Sequence, residues 1–460
     1  MKNITFIILI FFTSTIFGQE ISGDWNGILK IPTGKQISIV FHVTKSETGY
    51  RSTMDSPDQK AFGIPVTTTT FENSTLKCAI PNAQIEYEGT LKENRIIGFF
   101  KQAGQSVPMD LSRRKTAKSE PNVKLNRPQE PIKPYAYYSE DVIFPNKNAG
   151  INLAGTLTLP KKEGRFPVVI LITGSGPQNR DEELLGHKPF LVLSDYLTKN
   201  GIAVLRYDDR GIGLSKGDFK TATTQDFSTD VDAAIAYLKT RKEINKNKIG
   251  LIGHSEGGVI APMVASKSKD IAFIVLMAGP GLEGKKLILL QKELIERQMG
   301  IPETDIAKGQ EIIGGAYDLV MNSDNNETLV PKVQSYFKEK FNNQLTDNLI
   351  NPLTNQITSP WWKYFLKYNP AMALENVKCP VLAINGEKDL QVPAKENIDA
   401  ISKSLAKGGN KKVITKIFPY LNHLFQECTT GAVDEYSKIE QTISPNALNE
   451  ILTWIKIQTK

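Results

Sequence analysis

From Ile21 to about Ser112 apolar and polar positions alternate in short runs: Asp24 to Ile31, Ile37 to Val43, Val66 to Phe71, Ala83 to Leu91, Arg95 to Lys101 and Val107 to Leu111. A period of two sends successive side chains to opposite faces, the mark of half-buried strands. Turn-forming residues at Thr33-Gly34, Glu72-Asn73 and Glu93-Asn94 separate the runs at the spacing of an antiparallel meander. No helical period interrupts this stretch. Closing such a meander removes its exposed edges, so the pattern predicts a small all-β barrel or a strongly curled sheet.

The pattern changes at Arg113. Arg113 to Pro134 carries Pro121, Pro128, Pro131 and Pro134 and almost no apolar residues, which predicts an extended linker. From Tyr135 onward continuous apolar runs alternate with helical stretches: Phe166 to Ile172, Ile202 to Tyr207, Lys248 to Ile252, Ile271 to Met277, Val381 to Ile384 and Val413 to Phe418. Strands apolar at every position are covered on both faces, so these runs predict a mostly parallel sheet with helices on either side, an α/β architecture. The rhythm fails once, between Gly279 and Pro360. Helical periodicity at Leu287 to Gln298 and Glu303 to Val320 predicts a helical cap inserted there between two strands.

At the N-terminus Lys2 precedes an apolar stretch, Ile4 to Phe12, and a polar break at Thr13 to Thr15 ahead of Gly18. This reads as a secretory signal peptide cut after Gly18, too short to span the roughly 30 Å of a bilayer core. No cysteine follows the cut, so no lipid anchor is expected. The expected division is 1–18 signal peptide, 19–112 β-rich N-terminal domain, 113–134 basic Pro-rich linker and 135–460 α/β domain with its cap at about 279–360. The protein is expected to be exported, periplasmic or extracellular, with no transmembrane anchor after cleavage.

Composition narrows the class. With 40% hydrophobic and 23% charged residues in a chain of 460, collagenous, disordered and multispanning classes are excluded. Three cysteines, Cys78, Cys379 and Cys428, cannot build a disulfide scaffold; whether any two pair is open. The net charge of +7 raises the question of a nucleic-acid partner. Arg113 to Pro134 alone holds Arg113, Arg114, Lys115, Lys118, Lys124, Arg127 and Lys133 against Glu120 and Glu130. The excess therefore belongs to the linker, and no nucleic-acid partner is expected.

Gly253-His254-Ser255-Glu256-Gly257 matches G-x-S-x-G. The five letters are weak, but the apolar run Lys248 to Ile252 leads in and the small-residue stretch Gly258 to Ala265 leads out as a helix. A serine on a sharp strand-to-helix turn needs this setting, because its neighbours two positions away must lack side chains. A serine hydroxyl is a poor nucleophile near neutral pH, so a base must take its proton and a carboxylate must orient the base. Of the four histidines, His42, His187, His254 and His423, only His423 lies far enough downstream, in the loop after Val413 to Phe418. Asp389 follows the run Val381 to Ile384, with Glu387 as the alternative acid. Ser255, Asp389 and His423 thus fall in order on loops after successive strands and are the candidate catalytic residues.

Two backbone amides must face the developing negative charge. Glu256, next after the nucleophile, and Ser175, in Thr173-Gly174-Ser175-Gly176-Pro177, are the candidates for an oxyanion hole. Gly174 and Gly176 are expected at the substrate pocket, with His187 and the aromatic stripe Trp361, Tyr364 and Phe365. Capping or packing competes for His187, and packing between cap and core competes for the stripe. His254 is read as a packed neighbour of the turn. Gly211-Ile212-Gly213 lacks the third glycine of a dinucleotide loop. No paired metal-ligand spacing or phosphate loop occurs, so neither metal nor cofactor is expected.

Thr173 to Asp181, Tyr207-Asp208-Asp209-Arg210-Gly211-Ile212-Gly213, Gly253 to Gly258 and Asn385 to Asp389 together resemble the α/β-hydrolase superfamily. More narrowly they resemble the bacterial two-domain esterase D type, in which a small β-rich domain precedes a serine hydrolase of the serine-aminopeptidase-like branch. The resemblance implies an α/β-hydrolase fold and hydrolysis of carboxylic esters with short or medium acyl chains. It implies an acyl-enzyme on Ser255, with Asp389 as acid and His423 as base, no cofactor, and a small-molecule ester as the partner. An acidic residue in the place of Glu256 also occurs in peptidase-like and acyl-transfer branches. A serine peptidase or acyltransferase therefore stays open, as does a non-catalytic exported glycan- or lipid-binding protein, and the oligomeric state is undetermined.

Overall fold

The computed structural model describes residues 21–30, 36–46, 49–59, 61–81, 85–102, 105–113, 126–323, 325–342 and 347–460. Two compact units result, divided between Glu120 and Pro121. The expected signal peptide and residues 114–125 of the expected linker lie outside the described residues.

In the first unit ten described strands form one sheet. Its path runs Ala61–Val66, Gly49–Ser56, Gln36–Ser46, Gly23–Lys30, Leu111–Arg113, Arg95–Gln102, Ile85–Lys92, Thr75–Ile80 and Thr68–Glu72, with Gln105–Pro108 beside Arg95–Gln102. Neighbours pair antiparallel throughout. Inward-facing Trp25, Phe41, Leu76, Tyr87, Ile96 and Phe100 fill the interior. The sheet curls until Ser52 Oγ lies 2.7 Å from Thr69 Oγ1, which makes it a nearly closed barrel. Six runs were read where ten described strands are observed. Gly49–Ser56 buries serine and aspartate rather than alternating apolar residues, and Thr75–Ile80 was not read although Leu76, Cys78 and Ile80 alternate inward. The expected Val66 to Phe71 run divides at Thr67 between two strands, and the expected Val107 to Leu111 run divides between Gln105–Pro108 and Leu111–Arg113.

The second unit carries strands β1 (Tyr138–Asn146), β2 (Ile151–Leu159), β3 (Phe166–Ile172), β4 (Ala203–Tyr207), β5 (Ile244–His254), β6 (Ile271–Met277), β7 (Val381–Gly386) and β8 (Val413–Phe418). Their spatial order is β1-β2-β4-β3-β5-β6-β7-β8. β1 and β2 pair antiparallel, as do β2 and β4; the remaining pairs are parallel. The loops after β3, β5, β7 and β8 therefore leave from one end of the sheet. β3 explains the continuous apolar runs: Val168, Ile170 and Ile172 join the cluster under one face and Val169 and Leu171 the cluster under the other. Both faces are covered, so period two leaves no polar positions. The hairpin β1–β2 went unread because β1 is an edge, with Val142 and Phe144 buried but Ile143 68% exposed.

Helices α1 (Pro189–Lys199), α2 (Thr224–Thr240) and α3 (Gly257–Ala265) connect the strands. α2 starts at a capping box in which the Thr223 hydroxyl accepts the Asp226 N–H and the Asp226 carboxylate accepts the Thr223 N–H. Between β6 and β7 lie α4 (Gly284–Gln298), α5 (Glu303–Met321), α6 (Asn326–Lys340), α7 (Asp347–Ile357) and α8 (Pro360–Lys367). This is an α/β-hydrolase fold with a helical cap. The cap packs around its own cluster, including Tyr317, Val320, Leu329, Phe337 and Leu366. It extends past the expected limit at 360, because Ser359 caps a further helix with Pro360 in its first turn. Among the described residues no helix is long and apolar enough to cross a membrane, and all three cysteines are free thiols.

Residues 126–134, the described C-terminal part of the expected linker, are held against the rest of the second unit by their side chains. Arg127 donates to the carbonyl oxygens of Gly186 (3.0 Å), Ile439 (2.8 Å) and Ser437 (3.1 Å). Gln129 accepts the N–H groups of Thr442 and Ile443 and donates to Ile443 O. Arg127, one of the basic residues counted in the linker, thus holds backbone oxygens in place with its planar fork. Arg127→Ala is expected to lower unfolding free energy by about 1–3 kcal/mol, since these carbonyls lose charged donors. Arg127→Lys should recover little, because a single ammonium cannot reproduce the fork; urea denaturation checks both.

Candidate active site

β5 ends at His254 and α3 begins at Gly257, so Ser255 occupies the turn between them. Its φ is +52°, in the left-handed region that costs a residue with a side chain about 1–3 kcal/mol. Its N–H donates to Met277 O at 2.9 Å. The flanking glycines are required: a Cβ on Gly253 would lie 1.9 Å from Gly257 O, and one on Gly257 would lie 2.1 Å from Ile172 O.

The loops after β7 and β8 bring Asp389 against His423. Asp389 Oδ2 lies 2.8 Å from His423 Nδ1, and Asp389 Oδ1 accepts the N–H groups of Gln391 and Val392, each at 2.8 Å. Both side chains are buried, at 3% and 5% exposure for their residues. Glu387, the alternative acid, is exposed and accepts the Tyr420 N–H at 3.2 Å instead. Ser255 and His423 open on one cavity of about 660 Å³, together with Gly174, Ser175, Gly176, Glu256, Trp361 and Phe365. Leu184, Phe219, Leu287, Trp362, Val392 and Leu424 supply much of its apolar wall.

Glu256 is held beneath the cavity. Its Oε1 accepts from Thr224 Oγ1 at 2.6 Å and from Trp361 Nε1 at 2.8 Å. Burial pushes its carboxyl above the usual carboxylate range, opposed in part by hydrogen bonds from Thr224, Trp361 and Ser175. The aromatic stripe divides. Trp361 stacks on Phe365 with ring centroids 4.8 Å apart, and both line the cavity.

Two expected pocket residues lie elsewhere. Tyr364 packs against Val259, Met263 and Ala373 and stacks on Tyr368, because it projects from α8 toward α3. His187 is wholly buried, with Nδ1 2.9 Å from Thr442 Oγ1 and Nε2 2.8 Å from Tyr436 O. Burial, aided by the charge of Arg127, pushes it down to about 4, so it is a neutral packing residue.

From the sequence Glu182 reads only as one of the loop acids Asp181-Glu182-Glu183 that could meet a substrate amine in a peptidase, not as a partner of His254. It lies on the loop after β3, is 4% exposed, lines the cavity and meets His254 Nδ1 at 3.0 Å. In the sequence it is one of three consecutive acids, Asp181-Glu182-Glu183, and nothing in that run marks which one turns inward. Among the described residues no group of three or more His, Cys, Asp or Glu side chains is arranged to hold a metal ion.

A family model described as serine aminopeptidase, S33, matches residues 189–425. Esterase EstD of Thermotoga maritima is 28% identical over 324 residues, covering 69% of this chain and 69% of that protein. An acyl transferase of Shewanella hanedai is 32% identical over 123 residues, 26% of this chain and 37% of that protein. Among solved structures, an esterase of Pyrococcus furiosus aligns with a TM-score of 0.44 at 19% identity, covering 71% of this chain and 92% of that one. With more than half of its length matched, and with the strand order and nucleophile turn described, the chain belongs to the serine aminopeptidase S33 family of α/β-hydrolases.

Proposed function

We propose that this hydrolase cleaves small carboxylic esters with short or medium acyl chains through an acyl-enzyme on Ser255. The observation that carries the reading is the buried Asp389–His423 hydrogen bond of 2.8 Å opening on the same cavity as Ser255. The name of the Thermotoga maritima relative, an esterase, supports the reaction class. The apolar wall of the cavity suits an acyl chain better than a charged group.

In this mechanism His423 Nε2 takes the hydroxyl proton as Ser255 Oγ attacks the ester carbonyl carbon. Asp389, hydrogen-bonded at Nδ1, fixes the ring and stabilises the imidazolium. The carbonyl oxygen, now negative, rests on the backbone N–H groups of Ser175 and Glu256. Gly174 is the weaker donor here, because its N–H already meets Glu182 Oε1 at 2.7 Å. The C–O bond to the alcohol breaks as His423 returns the proton to the leaving oxygen. Water then attacks the acyl carbon, its proton going to His423, and Ser255 is released with the acid.

A peptidase would need a carboxylate for a substrate ammonium: Glu256 is already bound by Thr224 and Trp361, and Glu182, whose Oε2 has no hydrogen-bond partner among the described residues, is paired at Oε1 with His254. An acyltransferase would differ only in the acceptor of the second step. Comparing butyrate release with butyl-ester formation in added alcohol separates it from a hydrolase. We also place the protein outside the cytoplasm, on the pattern of Met1 to Gly18; N-terminal sequencing after expression in an export-competent bacterium is expected to begin at Gln19, and an intact Met1 would refute export.

Ser255→Ala is expected to reduce turnover of p-nitrophenyl butyrate by ~10⁴ or more and to abolish fluorophosphonate labelling. Asp389→Asn should cost ~10³–10⁴ in kcat through the wrong His423 tautomer, while Glu387→Gln should stay near the parent; a reversed order would exchange the two acids. Trp361→Ala removes a wall of the cavity, so kcat/KM for octanoyl over acetyl esters should change by about tenfold. A change in melting temperature without a change in that ratio would reduce Trp361 to packing.

A further inference from the structure

The cleft holds a second histidine–carboxylate couple that the proposed mechanism leaves idle. His254 directly precedes Ser255 and is 5% exposed. Its Nδ1 lies 3.0 Å from Glu182 Oε1 and its Nε2 3.0 Å from the backbone oxygen of His423. Both ring nitrogens face oxygen acceptors, an arrangement that favours the doubly protonated ring with Glu182 as its counter-ion. Glu182 Oε1 also accepts the Gly174 N–H at 2.7 Å. One ion pair therefore joins the loop of Ser175, the turn of Ser255 and the loop of His423. The His254 and His423 rings lie 4.8 Å apart between centroids.

The pair is expensive for the fold. Glu182 has φ +52°, and its Oε2 is buried without a hydrogen-bond partner among the described residues. Strain and an orphaned buried oxygen each lower stability, and such features collect at functional sites. Burial itself opposes a charge on His254, yet the charge and hydrogen bond of Glu182, with the His423 carbonyl and the charge of Asp389, outweigh it and hold His254 above the usual histidine range.

We propose that Glu182 and His254 are a positioning pair for the Ser255 reaction, holding the oxyanion loop and the base loop in register and setting a fixed positive charge beside His423. The proposal rests on the reading of Ser255 as nucleophile and His423 as base. Asp389, on His423 Nδ1, offsets the charge that His423 acquires during attack. The other titratable groups facing the two rings are Tyr436, near the His423 backbone, and Glu256 in the shared cavity; both remain in the variants.

The test compares His254→Gln, Glu182→Gln and the double variant in the full chain, with p-nitrophenyl acetate as substrate and fluorophosphonate titration to count competent sites. The expected result is a full complement of titratable serine, kcat per site reduced ~10–100-fold by loss of alignment, and KM within about threefold. The double variant should be no worse than the poorer single one, since the two act as a unit. Loss confined to the titratable fraction, with turnover per site like the parent, would overturn the proposal, because a purely structural pair behaves that way. If His254→Gln does not fold, Glu182→Gln decides the question by the same kcat-against-KM split. Parent protein that never reacts with the fluorophosphonate refutes the nucleophile reading instead, an outcome separate from these.

Discussion

The catalytic unit is organised around the close passage of two pieces of backbone where β5 turns into α3. Gly253 approaches Gly257, and Gly257 approaches the end of β3, at distances that leave no room for a Cβ. That contact forces Ser255 into positive φ and lifts its side chain out of the sheet toward the cavity. It also fixes where everything else must be. The loop of Gly174 and Ser175 follows β3, the strand that Gly257 touches, and the loops of Asp389 and His423 follow β7 and β8 at the same end of the parallel sheet. A single steric constraint thereby sets the origin from which the other groups are placed, and ridged packing of α3, buried along its whole length, keeps that origin rigid.

Long-range order in the sheet was legible because parallel strands covered on both faces leave an uninterrupted apolar record. The runs Phe166–Ile172 and Ile271–Met277 coincide with observed strands of this kind, whereas Val413–Phe418 coincides with an edge strand that is largely exposed, and the motif residues followed these runs in the order that the resemblance to α/β-hydrolases implies. Less could be read where tertiary context decides. β1 is an edge strand whose alternate positions are solvated, β2 buries Thr156 and Thr158 among its apolar residues, Gly49–Ser56 buries polar side chains satisfied across strands, and the last cap helix owes its start to Ser359 and Pro360 rather than to hydrophobic period. Within the site, periodicity separated Trp361, Tyr364 and Phe365 from their surroundings but not from one another. Only the rotation of α8 against the core decides that Trp361 and Phe365 face the cavity and Tyr364 faces α3.

Buried ionisable groups were the least visible class. His187, His254, Glu182 and Glu256 all lie in sequence contexts rich in charged and polar neighbours, and their environments differ sharply. His187 is pushed down by desolvation and the charge of Arg127 against the Tyr436 carbonyl, whereas His254 is held above the usual histidine range by the Glu182 carboxylate against its desolvation. The same residue type thus ends in opposite states through partners supplied by loops distant in sequence. Composition carries no trace of that difference.

The docking of Arg127 and Gln129 on the segment 437–443 changes where this enzyme begins. The first strand of its sheet starts at Tyr138, yet a fragment trimmed there would lose the side chains that fasten the chain between the histidine loop and the final helix, Pro445–Gln458. The shortest autonomous hydrolase is accordingly longer at its N-terminal side than its sheet. Recombination that exchanges the upstream barrel for another module finds its natural joint ahead of Asn126, in a place that strand boundaries do not advertise.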